Sequence, residues 1–331
     1  MRKTKSNILV TGGTGFIGSN LVKKLCMNKN NNVAVFARNR SHIFLKGLKV
    51  KIIQGDIRDY TSVFNAVKGN DYVYHLAASS LNTLREKGTI FGINVGGTEN
   101  VMKACLKSHV KKVVHVSSCS ALGFSRKPSI KLNENNFLDF KDQIYGQSKK
   151  LGEDKVLEYV AKGLNATIVL PPYVVGPGEI DPSRYTIFQS ISRNRVKFAY
   201  PSGGGTVAVE DLVEGIILAM KKGRSGQRYI LSNTNINFID RYNLIADILR
   251  KPRIRLVLPR WTYYPMYLLA ALWSKISDKP VIDTETIRWS YNYRYYDSSK
   301  ARKELGWNPK IPIKESFKRA IDYYREIGAL S

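Results

Sequence analysis

The first half of the chain alternates short apolar runs with segments in which apolar residues recur at helical spacing. The apolar runs predict strands at 7–11, 33–37, 49–53, 72–77, 112–118 and 166–171, with helices between them. A helix at 209–223 and an apolar run at 226–232 add a seventh strand. Strands that are apolar throughout and separated by helices are typical of a parallel sheet covered on both faces. The pattern therefore predicts an α/β fold with a doubly wound parallel sheet of about seven strands.

The regular alternation stops after residue 172. Proline, glycine and serine are concentrated at 199–206, and less regular segments follow the seventh strand. We interpret 1–172 and 206–234 as the larger domain, and 173–205 and 235–331 as a smaller lobe interleaved with it. Within this lobe, 297–307 and 313–328 have helical periodicity.

The stretch "PRWTYYPMYLLAALWSK" (259–275) is the most apolar part of the smaller lobe. It is shorter than the roughly 20 apolar residues that a membrane-spanning helix needs. Three interpretations stay open. The stretch packs in the core of the lobe, lines a pocket for an apolar substrate, or forms a helix that lies weakly on a membrane surface, with aromatic residues at headgroup depth and basic flanks.

The 331-residue chain carries a formal net charge of +27. Its basic residues are spread from Arg2 to Arg325, with no run of five and with neither zinc-finger spacing nor an aromatic ribonucleoprotein motif. A diffuse basic surface that attracts anionic ligands is the preferred interpretation, with no nucleic acid and no metal expected; a polyanion partner is the alternative. Three cysteines without a CxxC pair favour a reduced, cytoplasmic setting.

The segment "VTGGTGFIGSN" (10–20) connects the first predicted strand to the first predicted helix. Gly12 permits a tight turn, Gly15 lets the backbone approach a pyrophosphate, and Gly18 lets helix and strand pack closely. The helix N-terminus adds amide donors and the positive end of its dipole. The segment therefore predicts a Rossmann-type dinucleotide site.

The end of the second predicted strand indicates which dinucleotide binds. An acidic residue there would suit the ribose 2′-hydroxyl of NAD, whereas "FARNR" places Arg38 there, which suits the 2′-phosphate of NADP. The alternative is a solvated basic loop. Asp56 in "QGDIRD" ends the third strand, where a carboxylate can meet the adenine amino group.

The segment "YGQSK" (145–149) places a phenol and an ammonium one helical turn apart on the same face. A tyrosine with its usual pKa of about 10 is a weak acid or base at neutral pH, but the Lys149 ammonium stabilises the phenolate. Ser118, at the end of the strand 112–118, is suitably placed to hold a substrate oxygen beside Tyr145. The set predicts proton transfer at an alcohol or a carbonyl.

The chain resembles the extended short-chain dehydrogenase/reductases, the NAD-dependent epimerase/dehydratase group, over almost its whole length. The matching segments are "TGGTGFIG", "GDIRD", "HLAAS", "NVGGTENVMKAC", "HVSSCSALG", "YGQSKKLGE", "LPPYVVGPG", "VEDLVEG" and "DSSKARKELGWNP". The resemblance implies catalysis by Ser118, Tyr145 and Lys149 with support from Asn94. It also implies a chiefly structural Asp211.

With Arg38 and Asp56, the predicted cofactor contacts are the following: Gly12, Thr14, Gly15, Phe16, Ile17, Gly18, Ile57, Leu76, Ala77, Ala78, Tyr145, Lys149, Pro171, Tyr173 and Val174. The predicted substrate contacts are Ser79, Ser80, Ser118 and Cys119; for Ser79 and Ser80, contact and no contact are equally open. We expect Cys119 to be a small core residue rather than a nucleophile, because no histidine motif accompanies it. His75 is expected to pack or hydrogen-bond rather than to catalyse.

Departures from the family pattern narrow the reaction. Dehydratases of the family carry an Asp-Glu pair after the catalytic hydroxyl residue, whereas Ser118 is followed by Cys119 and Ser120. The Gly-Asp pair of many nucleotide-sugar epimerases is missing from 287–301, although Arg288 and Arg294 remain there. The chain is most similar to the dihydroflavonol-reductase-like branch, with its 3β-hydroxysteroid dehydrogenases and hopanoid-associated sugar epimerases.

The sequence therefore predicts an NAD(P)-dependent oxidoreductase, preferring NADPH, that interconverts a secondary alcohol and a ketone on a small sugar-like or apolar molecule. An epimerase with tightly held NAD is the alternative within catalysis. A non-catalytic nucleotide-sensing or RNA-associated scaffold is the alternative outside it. A homodimer is expected because pairing through two helices is common in the resembled family.

Overall fold

The computed structural model describes residues 5–39, 45–79, 87–137, 143–276 and 284–330. Its strands are β1 Ser6–Thr11, β2 Asn31–Ala37, β3 Lys51–Gln54, β4 Tyr72–His75, β5 Lys112–Val116, β6 Ala166–Leu170, β7 Tyr173–Val175, β8 Phe198–Ala199, β9 Gly203–Ala208, β10 Arg228–Ile230, β11 Thr234–Asn237 and β12 Leu256–Val257. Its helices are α1 Phe16–Cys26, α2 Tyr60–Val67, α3 Lys87–Phe91, α4 Gly97–Lys107, α5 Ile144–Ala161, α6 Pro182–Ser192, α7 Val209–Lys222, α8 Phe238–Leu249, α9 Tyr263–Ile276, α10 Thr284–Ser290 and α11 Ile313–Glu326.

Seven strands form a central sheet in the order β10-β6-β5-β4-β1-β2-β3, and every neighbouring pair is parallel. The predicted doubly wound parallel sheet is therefore confirmed. The strand order reverses direction between β1 and β4. In such sheets, ligands bind at the carboxyl ends of the strands beside this reversal.

Alternate residues of β1 lie in different cores, which explains its continuous apolar run. Ile8 and Val10 pack in one core with helices α1 and α7. Leu9 packs in a second core with α2, α4 and α5. Both faces of the sheet are thus covered by helices.

Two further sheets lie outside the central sheet. β7, β9 and β11 form one sheet, and β8 and β12 form the other. Helices α6, α8 and α11 share a separate core that includes Phe188, Ile245 and Phe317. The predicted helix at 313–328 is present as α11, and 299–305 is helical with a π turn.

The glycine-rich stretch at 199–206 gave no indication of a strand, yet Gly203–Ala208 forms β9, every residue of which is buried. A Cβ at Gly203 would lie 2.5 Å from Tyr295 Oη, and one at Gly205 would lie 2.5 Å from Ser232 Oγ. The glycines therefore let neighbouring segments approach the strand closely. The break in periodicity marks close packing at these residues.

Helix α9 contains most of the apolar stretch 259–275 and is partly exposed. Ala270 packs against Ile287 and Tyr291 of the α10 region. Leu268 and Leu269 remain 61% and 64% exposed. No helix in the described ranges combines the length and hydropathy needed to cross a bilayer.

Candidate active site

The glycine loop connects β1 to α1 and lies against the segment that follows β4. Gly12 has φ of +70°, and a Cβ there would lie 2.6 Å from the Ala77 backbone nitrogen. A Cβ at Gly18 would collide with the carbonyl of Gly12. The packing of the chain itself therefore requires glycine at both positions.

Gly15 has no such neighbour. A Cβ there would meet only the Gly12 carbonyl oxygen, at 3.5 Å, which is an ordinary contact distance. Gly15 immediately precedes Phe16, the first residue of α1, and the first turn holds no acidic side chain. The open space thus lies where a phosphate would approach the helix N-terminus. The loop fits a dinucleotide pyrophosphate, which Gly12, Gly15 and Gly18 with Thr14 and Ile17 would surround.

Arg38 and Asp56 lie at the carboxyl ends of β2 and β3. Arg38 is exposed. Asp56 Oδ2 accepts a hydrogen bond from Arg58 Nη2 at 2.7 Å, and this bond, supported by the charge of Arg38, lowers the pKa of Asp56 to about 2. Ile57 is buried against Gly97. The edge therefore presents two arginines and one ionised carboxylate.

The segment after β4 runs beside the glycine loop. Leu76 and Ala77 are half-buried and Ala78 is exposed. The Ser79 backbone N–H donates to Asn94 Oδ1 at 2.7 Å, and its carbonyl accepts from Asn94 Nδ2 at 2.9 Å. Ser80 lies outside the described residues.

Asn94 links that segment to α5. It is buried in the π turn Gly92–Gly96, and Nδ2 also donates to Ser148 Oγ at 2.9 Å. The Ser148 hydroxyl in turn donates to the Tyr145 carbonyl at 2.8 Å. Asn94 thus fixes the first turn of α5 relative to the segment that follows β4.

Tyr145 and Lys149 lie one turn apart on α5. Tyr145 is half-buried, whereas Lys149 is buried and its Nζ donates to the Val116 carbonyl at 2.9 Å. Burial lowers the pKa of Lys149 to about 8, against the raising effect of the Glu153 carboxylate. The ammonium is therefore charged at neutral pH and easily deprotonated above it.

Ser118 follows β5 and begins the short 3₁₀ turn Cys119–Leu122. Its Oγ accepts a hydrogen bond from the Ser120 backbone N–H at 3.1 Å. Cys119 is buried, its Sγ donates to the Leu170 carbonyl at 3.1 Å, and burial raises the pKa of its thiol. This environment matches the expected core role of Cys119.

Buried polar groups near the site form hydrogen bonds and an ion pair with one another. The Ser117 hydroxyl donates to Glu153, and Arg228 Nε lies 2.8 Å from Glu153 Oε2. His75 hydrogen-bonds through Nδ1 and Nε2 to the hydroxyls of Thr11 and Thr98. Burial, with a contribution from the charge of Lys149, lowers the pKa of His75 to about 3, so the imidazole is neutral and has the expected packing role.

A cavity of about 510 Å³ extends from Ile17, beside the glycine loop, to Ser118 and Tyr145. The predicted residues that line it are Ile17, Ser118, Cys119, Tyr145, Pro171, Tyr173 and Val174. The structure thus brings the candidate proton donor, the candidate oxygen-binding serine and several cofactor-side residues to one space.

The lining of this cavity also includes residues that the sequence did not indicate or left undecided. Arg241, Phe238 and Trp289 were missed, and Arg294 was noted only as a remaining arginine; all four line the cavity. Arg241 lies on the buried face of α8 with Phe238 and Ile245. An arginine at a core position of an amphipathic helix is a signal that could have identified it.

Comparisons with known proteins identify relatives that match this chain over most of its length. The model of the NAD dependent epimerase/dehydratase family matches residues 8–232. Sterol demethylase protein B of Methylococcus capsulatus is 31% identical over 330 residues, covering 97% of this chain and 99% of the relative. 3β-Hydroxysteroid-dehydrogenase/decarboxylase isoform 1 of Arabidopsis thaliana is 25% identical over 363 residues, covering 99% of this chain and 81% of the relative.

A solved structure, that of gox2253, matches with a TM-score of 0.86 and 28% identity over 99% of this chain and all of that one. The fold, the family match and the relatives agree, and they decide against a non-catalytic scaffold. The chain belongs to the NAD-dependent epimerase/dehydratase family and is an NAD(P)-dependent enzyme of the extended short-chain dehydrogenase/reductase type.

Proposed function

We propose that this enzyme interconverts a secondary alcohol and a ketone with NADP(H) as its preferred cofactor. The observation that carries the proposal is the shared cavity, which Ser118, Tyr145 and the cofactor-side residues Pro171 and Val174 line together. Lys149 is buried one turn from Tyr145. A phenol, an ammonium and a hydroxyl in this arrangement beside a dinucleotide loop suit proton transfer at an alcohol or a ketone.

The proton chemistry follows from these residues. The Lys149 ammonium stabilises the phenolate of Tyr145. In reduction, the neutral phenol of Tyr145 gives its proton to a ketone oxygen and becomes the phenolate; in oxidation, the phenolate takes the proton of a hydroxyl. Ser118 donates a hydrogen bond to that oxygen. When bound, the nicotinamide cofactor supplies or accepts the hydride.

Tyr145→Phe tests this proton chemistry directly. Consumption of added NADPH by the wild type separates the proposal from an epimerase, since an enzyme with tightly held NAD would turn over without added cofactor.

The preference for NADP(H) is supported by charge. Arg38 is exposed at the end of β2, and Arg58 adds a second guanidinium nearby while it pairs with Asp56. Two positive charges against one carboxylate suit a ribose 2′-phosphate, which arginine binds through charge-assisted hydrogen bonds.

The Arg38→Asp variant should lower the ratio of NADPH affinity to NADH affinity by about 10–100-fold, because one charge-assisted contact to the 2′-phosphate is replaced by repulsion. The measurement is a titration of each cofactor by quenching of protein fluorescence. Arg255→Asp, at an exposed arginine of the smaller lobe, is the control for net charge. An equal loss in both variants would refute the role of Arg38.

We assign substrate binding to the lobe formed by 173–205 and 235–331, because Phe238, Arg241 and Trp289 line the same cavity as Ser118. Cys119 also lines this cavity. A homodimer paired through two helices of each protomer is also proposed. It is supported by the pairing through two helices that is common in the family, and by Leu151 of α5, which is 39% exposed.

A further part of the proposal is weak association of this otherwise cytoplasmic enzyme with an anionic membrane surface. Trp261 and Tyr264 are 68% and 75% exposed, and Leu268, Leu269 and Ile276 continue the apolar surface along α9. Arg255 and Arg260 are exposed beside it. Exposed aromatic and aliphatic side chains with basic neighbours favour an anionic lipid interface.

Trp261→Ser with Tyr264→Ser should reduce co-sedimentation with phosphatidylserine-containing vesicles by about tenfold, because two large side chains no longer enter the interface. Met27→Ser with Ile130→Ser, which removes exposed apolar side chains elsewhere, is the control. Equal binding by wild type and the Trp261/Tyr264 variant, or binding by neither, would contradict the membrane association.

A further inference from the structure

Two arginines line the same cavity as Ser118. They are Arg241, which is only 9% exposed, and Arg294. In the described ranges, no ion pair joins either guanidinium to a carboxylate, and the Nε atoms of both are buried without a hydrogen-bond partner. Arg241 Nη2 donates a long hydrogen bond to the Gly204 carbonyl, at 3.4 Å.

Aromatic rings hold both guanidinium groups in place. Arg241 lies 4.9 Å from the ring centroid of Phe238 and 5.1 Å from that of Tyr173. Arg294 lies 4.3 Å from the ring centroid of Trp289. Stacking on rings fixes a guanidinium while its N–H groups stay available for a ligand.

Another buried arginine shows what a structural role requires in this protein. Arg228 pairs with Glu153 at 2.8 Å and donates through Nη1 to the Glu134 and Asn136 carbonyls. Arg241 and Arg294 have no comparable set of acceptors. Burial of an arginine without a counter-ion is costly, so the missing acceptors point to a ligand.

The electrostatic environment of the two arginines also favours an anionic ligand. Burial lowers the pKa of Arg294 to about 10, and the charge of Arg241 contributes to the decrease. Glu285 also lines the cavity, where it accepts a hydrogen bond from Trp289 Nε1 at 3.0 Å. Among the described residues of the cavity lining, Arg241 and Arg294 carry two positive charges and Glu285 carries one carboxylate.

We infer that Arg241 and Arg294 bind an oxyanion group, a carboxylate or a phosphate, of the substrate. The inference rests on the proposed function for the reacting group, since Tyr145 and Ser118 line the same cavity. The substrate is then an acidic molecule whose anionic group and whose secondary alcohol or ketone lie in the same cavity. Guanidinium groups recognise both anions by the same charge-assisted hydrogen bonds.

The ring of Trp289 gives a local signal for anion binding that does not depend on catalysis. Protein containing 5-fluorotryptophan would be titrated with sodium acetate and, separately, with inorganic phosphate, and the ¹⁹F resonance of Trp289 would be assigned with Trp289→Phe. A saturable shift of that resonance is expected. The anion that binds more tightly distinguishes a carboxylate-bearing from a phosphate-bearing substrate.

Arg241→Met and Arg294→Met should each weaken this binding by at least about tenfold, since each removes a charge-assisted contact. Arg255→Met, at an exposed arginine, should stay within about twofold of wild type. Both cavity variants should also melt about 2–4 °C higher than wild type without anion, because methionine keeps the apolar stem and removes an uncompensated buried charge.

Absence of a saturable shift, or unchanged affinity in both cavity variants, would overturn the inference. The melting temperatures keep it testable if a variant binds poorly for another reason: lower melting temperatures in both variants would indicate a structural role for the arginines and would also overturn it. Loss of turnover in Tyr145→Phe is a separate measurement, so failure of the proposed reaction and failure of the anion site are distinguishable.

Discussion

Tyr145→Phe should lower kcat by about 10²–10⁴-fold, the usual contribution of a positioned proton donor. The hydroxyl is the only group that the substitution removes, and the ring keeps its place on α5 in the wall of the cavity. Cofactor affinity should stay within about threefold of wild type, because the glycine loop is unchanged. The measurement is oxidation of NADPH with whichever of a 3-ketosteroid, a dihydroflavonol or a nucleotide sugar the wild type reduces.

The same helix provides the matched control. Tyr159 lies on α5 in the core beneath the sheet, away from the cavity. Tyr159→Phe removes an identical hydroxyl and should leave kcat within about twofold of wild type. If Tyr145→Phe retained most of the wild-type kcat, the proposed proton transfer would be wrong.

Local pattern was enough to predict the larger part of the fold. A strand buried on both faces, such as β1, contains an uninterrupted apolar run, here 8–10, and the helix that follows Gly15 has an apolar face. The spacing of Tyr145 and Lys149 needed only the helical repeat. These features depend on neighbours within a few residues, so a single sequence contains them.

Features that depend on distant neighbours were not predictable in this way. Gly203 and Gly205 lie where the regular alternation stops, but their role is set by Tyr295 and Ser232, which are far away in the chain. The placement of Arg241 in a cavity with Arg294 depends on residues far apart in the chain and became evident only in the structure. Asn94 was expected from the resemblance alone, and its contacts with Ser79 and Ser148 became evident only in the structure.

The buried pair of Arg228 and Glu153 is also a contact between residues far apart in the chain. Breaking it should have the largest effect on stability. Arg228→Met removes the partner of a carboxylate that is 2% exposed. An unpaired buried charge typically costs about 3–5 kcal/mol in free energy of unfolding. Burial already raises the pKa of Glu153, and loss of Arg228 would raise it further. Part of the penalty is then avoided by protonation of the carboxyl group.

Arg228→Met combined with Glu153→Met should recover most of that loss, because an apolar pair of similar volume replaces the ion pair. The measurement is urea unfolding of the two single variants and the double variant, followed by circular dichroism. Lys318→Met, at an exposed pair with Asp322, is the control and should change the free energy of unfolding by less than about 1 kcal/mol.

Glu153 also affects the site, because its carboxylate raises the pKa of Lys149. Glu153→Met should therefore shift the pKa of Lys149 below about 8, so that the ammonium loses its proton at lower pH. The alkaline decrease in kcat/KM should move to lower pH in this variant, a change that loss of stability alone does not produce. An unshifted pH profile would limit Glu153 to a structural role, and a double variant as unstable as Arg228→Met alone would contradict the pairing argument.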